Sequence, residues 1–343
     1  MRIAIDAMGG DRGPRVLIDG ALAAARHLDV GLLLVGSQAA VEAELVRHPD
    51  AGNLDIRVVD APDVIEMAES PATAFRRKPR ASVRVAAEAV SRSDAAALVS
   101  AGHTGASVIA ACAAFGTIPG VDRPALAPTV PTREGSAVLL DAGANVECRP
   151  QHLLHFAIMG NAYARVALGV DRPRVGLLSI GEEASKGTEL IRDAHQLLKS
   201  APLQFIGNIE ARDVYSGQAD VIVCDGFTGN VALKISEGLV DTVEALLGEE
   251  LSRTFSGMVG SLLSRRAFRR FRRRVDYSEY GGAPLLGVAK LCIVGHGRSS
   301  AKAVRNAVAT AHRFAAHHLI DRIEQDIAAA SVVHQGGSER RGA

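Results

Sequence analysis

The chain has 343 residues, enough for one large α/β unit or two lobes around a sizeable core. Hydrophobic residues make up 48% with no Trp, so the interior must be built from Ala, Val, Leu and Ile. A formal net charge of +1 supplies no global field for nucleic acid or membrane, and any such binding must come from a local patch.

Residues 2–5 open as a strand with no secretory leader before them. Pro14 starts a helix over 14–28, at a position that suits its missing N–H. A strand at 31–36, a helix at 38–47 and a strand at 54–60 follow, then a helix at 82–93, a strand at 95–101 and a strongly apolar helix at 104–115. A Pro-rich connection at 119–131 is expected to cross between lobes. The alternation resumes at Ser136, with a helix near 152–168, a strand at 174–180 and a helix after Lys186. Strands at 203–207 and 219–224 lead to a long helical stretch from Gly229, and a last strand is expected at 290–294. This βαβα order predicts a three-layer α/β/α fold with a largely parallel central sheet. Residues 1–330 read as one two-lobed unit, and 331–343, rich in Gly, Ser and Arg, as a disordered tail. The four Cys are scattered without a CxxC pair and read as reduced thiols of a cytosolic protein. No apolar run is long enough to span a bilayer.

One stretch, 246–275, breaks the pattern. Leu247, Leu251, Phe255, Met258, Val259, Leu262 and Leu263 recur at three- and four-residue intervals, giving one greasy helical face. An arginine run at 265–274 follows, including Arg269, Arg270 and Arg273, with Phe268 and Phe271 at helical spacing between the charges. A basic amphipathic helix beside an apolar one suits an anionic membrane surface. A dimer interface with a solvated Arg face suits it equally. An arginine run without a recognised module is thin support for nucleic-acid binding.

Five short loops rich in Gly, Asp, Asn and Thr each follow an apolar strand, at 6–11, 100–106, 141–145, 181–187 and 225–230. In an open parallel sheet such loops gather at the carboxyl edge, where ligands bind. Gly lets backbone N–H groups approach an anion, and the following helix adds its positive dipole end. Asp6, Gly9, Gly10 and Asp11 form a candidate phosphate turn without Walker or GxGxxG spacing. His103, Thr104 and Gly105 form a second, though Thr104 also fits a helix cap. Asn145, with a turn role as its plain alternative, is a further candidate, as are Asp225 and Thr228. Lys186, in a Gly/Ser loop at a helix start, faces an unfavourable dipole unless an anion is present. Asn230 stands to cap a helix or donate its amide to a ligand. His296, in Gly295-His296-Gly297, is a candidate proton donor or anion ligand. No HExxH, Cys cluster or paired carboxylates point to a metal, and no GxSxG elbow to a serine nucleophile.

Taken together these loops are specific. The runs 6–11, 100–106, 181–190, 208–213 (Asn208-Ile209-Glu210-Ala211-Arg212-Asp213), 225–230 and 280–283 stand in one order, and over residues 2–329 the chain resembles the bacterial phosphate acyltransferases of the PlsX family. That resemblance implies transfer of a fatty acyl group from acyl-acyl-carrier-protein to inorganic phosphate, giving acyl phosphate for phospholipid synthesis without a cofactor. It implies an isocitrate/isopropylmalate dehydrogenase-like fold, a homodimer, and a cytoplasmic enzyme held peripherally on the membrane by a helical pair matching 246–275. The membrane glycerol-3-phosphate acyltransferase that consumes acyl phosphate is a further candidate partner. Lys186 and Asn230 match the expected reacting centre. His103 stands where the family usually carries Asn, and Arg298-Ser299-Ser300 where it usually carries an Asp. The acidic carrier protein needs a basic dock, for which Arg76-Arg77-Lys78-Pro79-Arg80 and the 265–274 run are candidates. The rivals are an oxidoreductase of the related dehydrogenase fold and a non-enzymatic scaffold on anionic membrane.

Overall fold

The computed structural model describes residues 1–275 and 277–339. The first half runs β1 (Arg2–Asp6), α1 (Gly13–Ala25), β2 (Gly31–Gly36), α2 (Gln38–Leu45), β3 (Ile56–Asp60), α3 (Pro71–Arg77), α4 (Ser82–Ser91), β4 (Ala97–Ser100) and α5 (Thr104–Phe115). Two short strands, β5 (Ala125–Leu126) and β6 (Thr129–Pro131), lead into β7 (Ser136–Leu140), α6 (Pro150–Ala167), β8 (Arg174–Ser179), α7 (Glu189–Lys199), β9 (Gln204–Glu210) and β10 (Val221–Val223). The chain returns through α8 (Gly226–Ser252), α9 (Phe255–Leu263), α10 (Arg265–Val275), β11 (Ala283–Leu286), β12 (Leu291–Val294), α11 (Ala301–Ala316) and α12 (Leu319–Glu339).

These strands form two sheets, ordered β3-β2-β1-β4-β12-β11-β5 and β6-β7-β10-β8-β9. Pairing is parallel throughout except where β11, β5 and β6 join. The Pro-rich connection carries the chain across: β5 belongs to the first sheet and β6 to the second, with Pro128 between them. Both are short edge strands, where a missing N–H is tolerated.

Strand periodicity builds a core on each face. Ile3 and Ile5 of β1, Leu32 and Leu34 of β2 and Val138 and Leu140 of β7 point into one core, covered by α1, α6, α7, α11 and α12. The intervening Ala4, Leu33, Val35, Ala137 and Leu139 point into the other, covered by α3, α4 and α5. Alternate residues thus bury opposite faces of the sheets, giving the expected three layers.

Two expectations change. The helical stretch at 246–275 divides into the end of α8, α9 and α10, because Thr254 caps a new helix by accepting from Gly257 N–H at 3.0 Å. The expected irregular tail is helical as far as Glu339, because α12 propagates from turns anchored by Ile323 and Ile327 through Ala328-Ala329-Ala330. Residues 340–343 lie outside the described residues.

Candidate active site

In the first sheet the strand order reverses between β1 and β4, the place where loops part and leave a crevice at the carboxyl ends. A cleft of about 580 Å³ opens there. Asp11, Gly102, Thr104, Gly105, His296 and Gly297 line one side, from the loops after β1, β4 and β12. Ala142, Gly143, Asn230, Leu233, Lys234 and Glu237 line the other, from the loop after β7 and from α8. The back is apolar, with Ile5, Leu17, Val99, Val294 and Val304. Four of the five glycine loops read from the sequence therefore lie around this cleft.

Two buried carboxylates hold the loops in shape. Asp6 accepts from Ser82 Oγ at 2.6 Å and Ser100 Oγ at 2.7 Å, and the backbone of Met8 and Gly9 supports it as well. Complete burial nonetheless pushes its pKa above the ordinary carboxylate value. Gly9 has no room for a side chain, since a Cβ there would meet Asp6 and the Gly102 backbone. At the end of β7 in the second sheet Asp141 accepts from the N–H groups of Leu126, Gly143, Ala144 and Asn145 and from Asn145 Nδ2, at 2.7–3.1 Å. Burial raises its pKa too. The Leu126 bond ties this turn to the crossing segment between the sheets.

The nominated polar residues thus divide. Asp6, buried behind its turn, and Asn145, bonded to Asp141 and to the Pro124 carbonyl at 2.7 Å, build the walls. His103 caps α5 by accepting from Gly105 N–H at 3.1 Å, which occupies an N–H expected to face an anion. Asp225 caps α8, accepting from Thr228 N–H at 2.9 Å and Thr228 Oγ1 at 2.7 Å. Gly10 adopts a φ of +89° as its turn packs on the Ala101 and Gly297 carbonyls, and Asp11 N–H donates to the Gly297 carbonyl at 2.9 Å. Asp11, Thr104, Gly105, Asn230 and His296 face the cleft. Gly143, at a φ of +130°, lets Asn230 lie close, a Cβ there falling 3.5 Å from its side chain.

Lys186 is exposed on the turn after β8 and does not line the cleft. That turn is built in: Asn208 Nδ2 donates to the Glu183 carbonyl at 2.9 Å, as does Lys186 N–H at 2.9 Å, and the buried His195 ring packs against Asn208 Oδ1 at 2.9 Å. The run beginning at Asn208 therefore serves the Lys186 turn.

Sequence reasoning missed Lys234 and Glu237. Lys234 Nζ lies 3.0 Å from Glu237 Oε2 and 2.8 Å from His296 Nε2. Lys234 follows Asn230 by four residues and Glu237 follows Lys234 by three, so helical spacing from Asn230 was the signal that could have found them. His296 is half-buried, and burial together with the Lys234 charge holds its pKa below the usual imidazole value. Those surroundings favour the neutral ring, which can accept from a cation at one nitrogen. Among the described residues no group of three or more His, Cys, Asp or Glu could hold a metal ion.

The helices after α8 stand away from this site. Phe255, Met258 and Leu262 of α9 are exposed, as are Arg269, Arg270 and Arg273 of α10; Leu251 and Phe268 are half-buried. Arg274 ties α10 to the Thr132 carbonyl at 2.7 Å. No described helix is long and apolar enough to cross a membrane. Of the two basic patches, 76–80 is largely engaged, with Lys78 on Glu69 at 2.6 Å and Arg80 on Asp60 at 2.5 Å.

Two largely parallel sheets that share two apolar cores, with a cleft at the strand ends, make an α/β fold with a ligand-sized site. Residues 1–322 match the family described as fatty acid synthesis protein, and the chain belongs to that family. It is 48% identical over 338 residues, 98% of each chain, to the phosphate acyltransferase of Pelotomaculum thermopropionicum. It is 50% identical to that of Nitratidesulfovibrio vulgaris, with 95% of each covered. Its fold resembles a phosphotransacetylase from Streptococcus pyogenes, with a TM-score of 0.62 at 19% identity over 92% of this chain and 94% of that one. The chain is an acyltransferase of this family.

Proposed function

We propose that the protein transfers a fatty acyl group from acyl-acyl-carrier-protein to inorganic phosphate, for phospholipid synthesis. The observation that carries this reading is the convergence of the glycine turns on one cleft that has a polar rim at Asn230 and an apolar back. The near-full-length kinship with phosphate acyltransferases supports it. Hydrogen phosphate is already an oxygen nucleophile, so it needs positioning and water exclusion more than a strong base. Its oxygen attacks the thioester carbonyl carbon, the C–S bond breaks, and the proton carried by the phosphate ends on the pantetheine sulfur. Acyl phosphate and free carrier thiol result, with atoms and charge balanced. Asn230 donates to the developing oxyanion from the cleft wall. Lys186, exposed outside that wall, is assigned to the incoming carrier-bound thioester. No metal or nicotinamide takes part.

The protein acts as a cytoplasmic homodimer on the membrane surface. An exposed apolar row on α8 (Phe227, Val231, Ile235, Leu239, Val243 and Leu246) supports pairing with a second copy. The apolar α9 and the arginine-rich α10 support docking on anionic lipid, close to the membrane glycerol-3-phosphate acyltransferase that would consume the product. The deciding experiment incubates the protein with acyl-acyl-carrier-protein and phosphate and traps acyl phosphate as hydroxamate. Hydroxamate formed only when phosphate is present is the expected result, and its absence overturns the assignment.

A further inference from the structure

A phosphate in the cleft must be met by cations or by N–H groups that are not already engaged. Gly9 supports the Asp6 carboxylate, and Gly105 N–H is taken by His103. Asp225 and Thr228 close on each other, and Lys186 lies outside the wall. Among the described residues Lys234 is the sole Lys or Arg lining the cleft. It sits one turn beyond Asn230 on α8, so both side chains project from the same face.

The surroundings of its ammonium group separate it from an ordinary surface ion pair. Glu237, its partner, has a side chain only 15% exposed. The contact across the cleft, to His296 Nε2 at 2.8 Å, joins a helix that follows β10 of one sheet to the loop that follows β12 of the other. His296 Nδ1 faces a second donor, the Arg298 N–H at 3.2 Å. A neutral imidazole offers one lone pair and one N–H. Two donors face a ring that can accept from one of them, Glu237 Oε2 also lies 3.8 Å from His296 Nε2, and an anion seated beside Lys234 would share its ammonium group with that carboxylate. Burial is the main cause of the lowered His296 pKa, and the Lys234 charge comes next.

We propose that Lys234, anchored by Glu237 and facing His296 across the cleft, is the residue that binds the phosphate substrate, with the Asn230 amide beside it. This deepens the acyl-transfer reading and rests on it. His296 and Glu237 act as positioning residues, fixing where the ammonium group stands before the anion arrives.

The test compares wild type with Lys234→Met, Lys234→Arg and Glu237→Gln in acyl phosphate formation, with phosphate and acyl-acyl-carrier-protein varied separately. For Lys234→Met the KM for phosphate should rise about tenfold or more, as loss of a charge-assisted bond requires, while the KM for acyl-acyl-carrier-protein stays within about twofold. Lys234→Arg should recover part of the loss, and Glu237→Gln should raise the phosphate KM by a smaller factor. An unchanged phosphate KM in folded Lys234→Met overturns the proposal. If that variant does not fold, an unchanged phosphate KM in Glu237→Gln does so. Thermal unfolding in rising phosphate, against chloride at matched ionic strength, gives an independent readout. Phosphate should stabilise wild type and not Lys234→Met. Should wild type form no acyl phosphate, the acyl-transfer reading fails, and this thermal comparison still judges Lys234: equal stabilisation of both proteins overturns its role.

Discussion

Asp141 accepts five hydrogen bonds, four from backbone N–H groups and one from the Asn145 amide, so its lone pairs are spent on shaping a turn. Asp6 is committed in the same way to two serine hydroxyls. Neither has capacity left for substrate, and removing either would leave several buried donors without a partner. Gly229 shows how closely the pieces fit, since a Cβ there would land on the Asp141 carbonyl oxygen. Residues held this tightly provide the geometry, and the chemistry falls to side chains with freedom to engage a ligand. Lys186 is one: exposed, and in no ion pair among the described residues. Lys186→Ala is expected to lower turnover by about tenfold at a fixed acyl-acyl-carrier-protein concentration, the cost of one charge-assisted contact to the incoming thioester. The measurement is hydroxamate-trapped acyl phosphate per unit time, with circular dichroism confirming the fold. Near-normal turnover would take Lys186 out of the mechanism.

At the scale of elements, α8 does three jobs along its length. Its first turn packs on the Asp141 loop, its second to fourth present Asn230, Lys234 and Glu237 to the cleft, and its outer side carries the exposed apolar row. The sequence placed the candidate interface at 246–275, whereas the row begins nearly twenty residues earlier, at Phe227. Ile235 is 65% exposed and Leu239 61%, one turn apart. An apolar row of that length on a solvent-facing side suits the apolar face of a partner. The double variant Ile235→Asp, Leu239→Asp should halve the molar mass seen by light scattering, because paired carboxylates cannot be buried in an apolar interface. A mass unchanged from wild type would rule out this row as the dimer surface. The α9–α10 pair makes a different prediction. Phe255→Asp with Leu262→Asp should abolish sedimentation with anionic vesicles while leaving acyl phosphate formation in solution within about twofold, because these residues lie away from the cleft. Undiminished vesicle binding would disconnect α9 from lipid.

At the scale of the molecule, the alternation of strands and helices was legible because each apolar run and each glycine turn is a local signal. The order of those turns was enough to indicate a ligand-binding strand edge. The pairings that complete the site were not legible, because they join residues far apart in the chain: Asp6 with Ser100 across 94 positions, and Lys234 with His296 across 62. The roles of His103 and Asp225 as caps were equally hidden, since a residue type suited to binding an anion is also suited to ending a helix. The charges around His296, a candidate proton donor in the sequence, were equally out of sight. Lys234 and Arg298 add positive charge around it, Glu237 and Asp11 add negative, and the balance together with burial lowers its pKa from the usual 6.5.

That lowered pKa makes stability depend on pH, because His296 sits where elements following the two sheets meet across the cleft. The unfolded chain takes up a proton on this ring as pH falls through 6.5, while the folded protein resists until a lower pH. The unfolded state therefore binds more protons over that interval. Stability contributed by the neutral ring is fully present above 6.5 and is lost as pH falls through 6.5 toward the folded value. His152, whose pKa is lowered by its own burial, adds a loss of the same sign and must be held constant. Asp6 and Asp141, whose raised pKa values act with the opposite sign, titrate in both proteins, so between pH 7.5 and 5 the thermal unfolding midpoint should change with a less positive slope against pH for His296→Asn than for wild type. Identical slopes for the two proteins would show that His296 is protonated as easily in the folded cleft as in the unfolded chain.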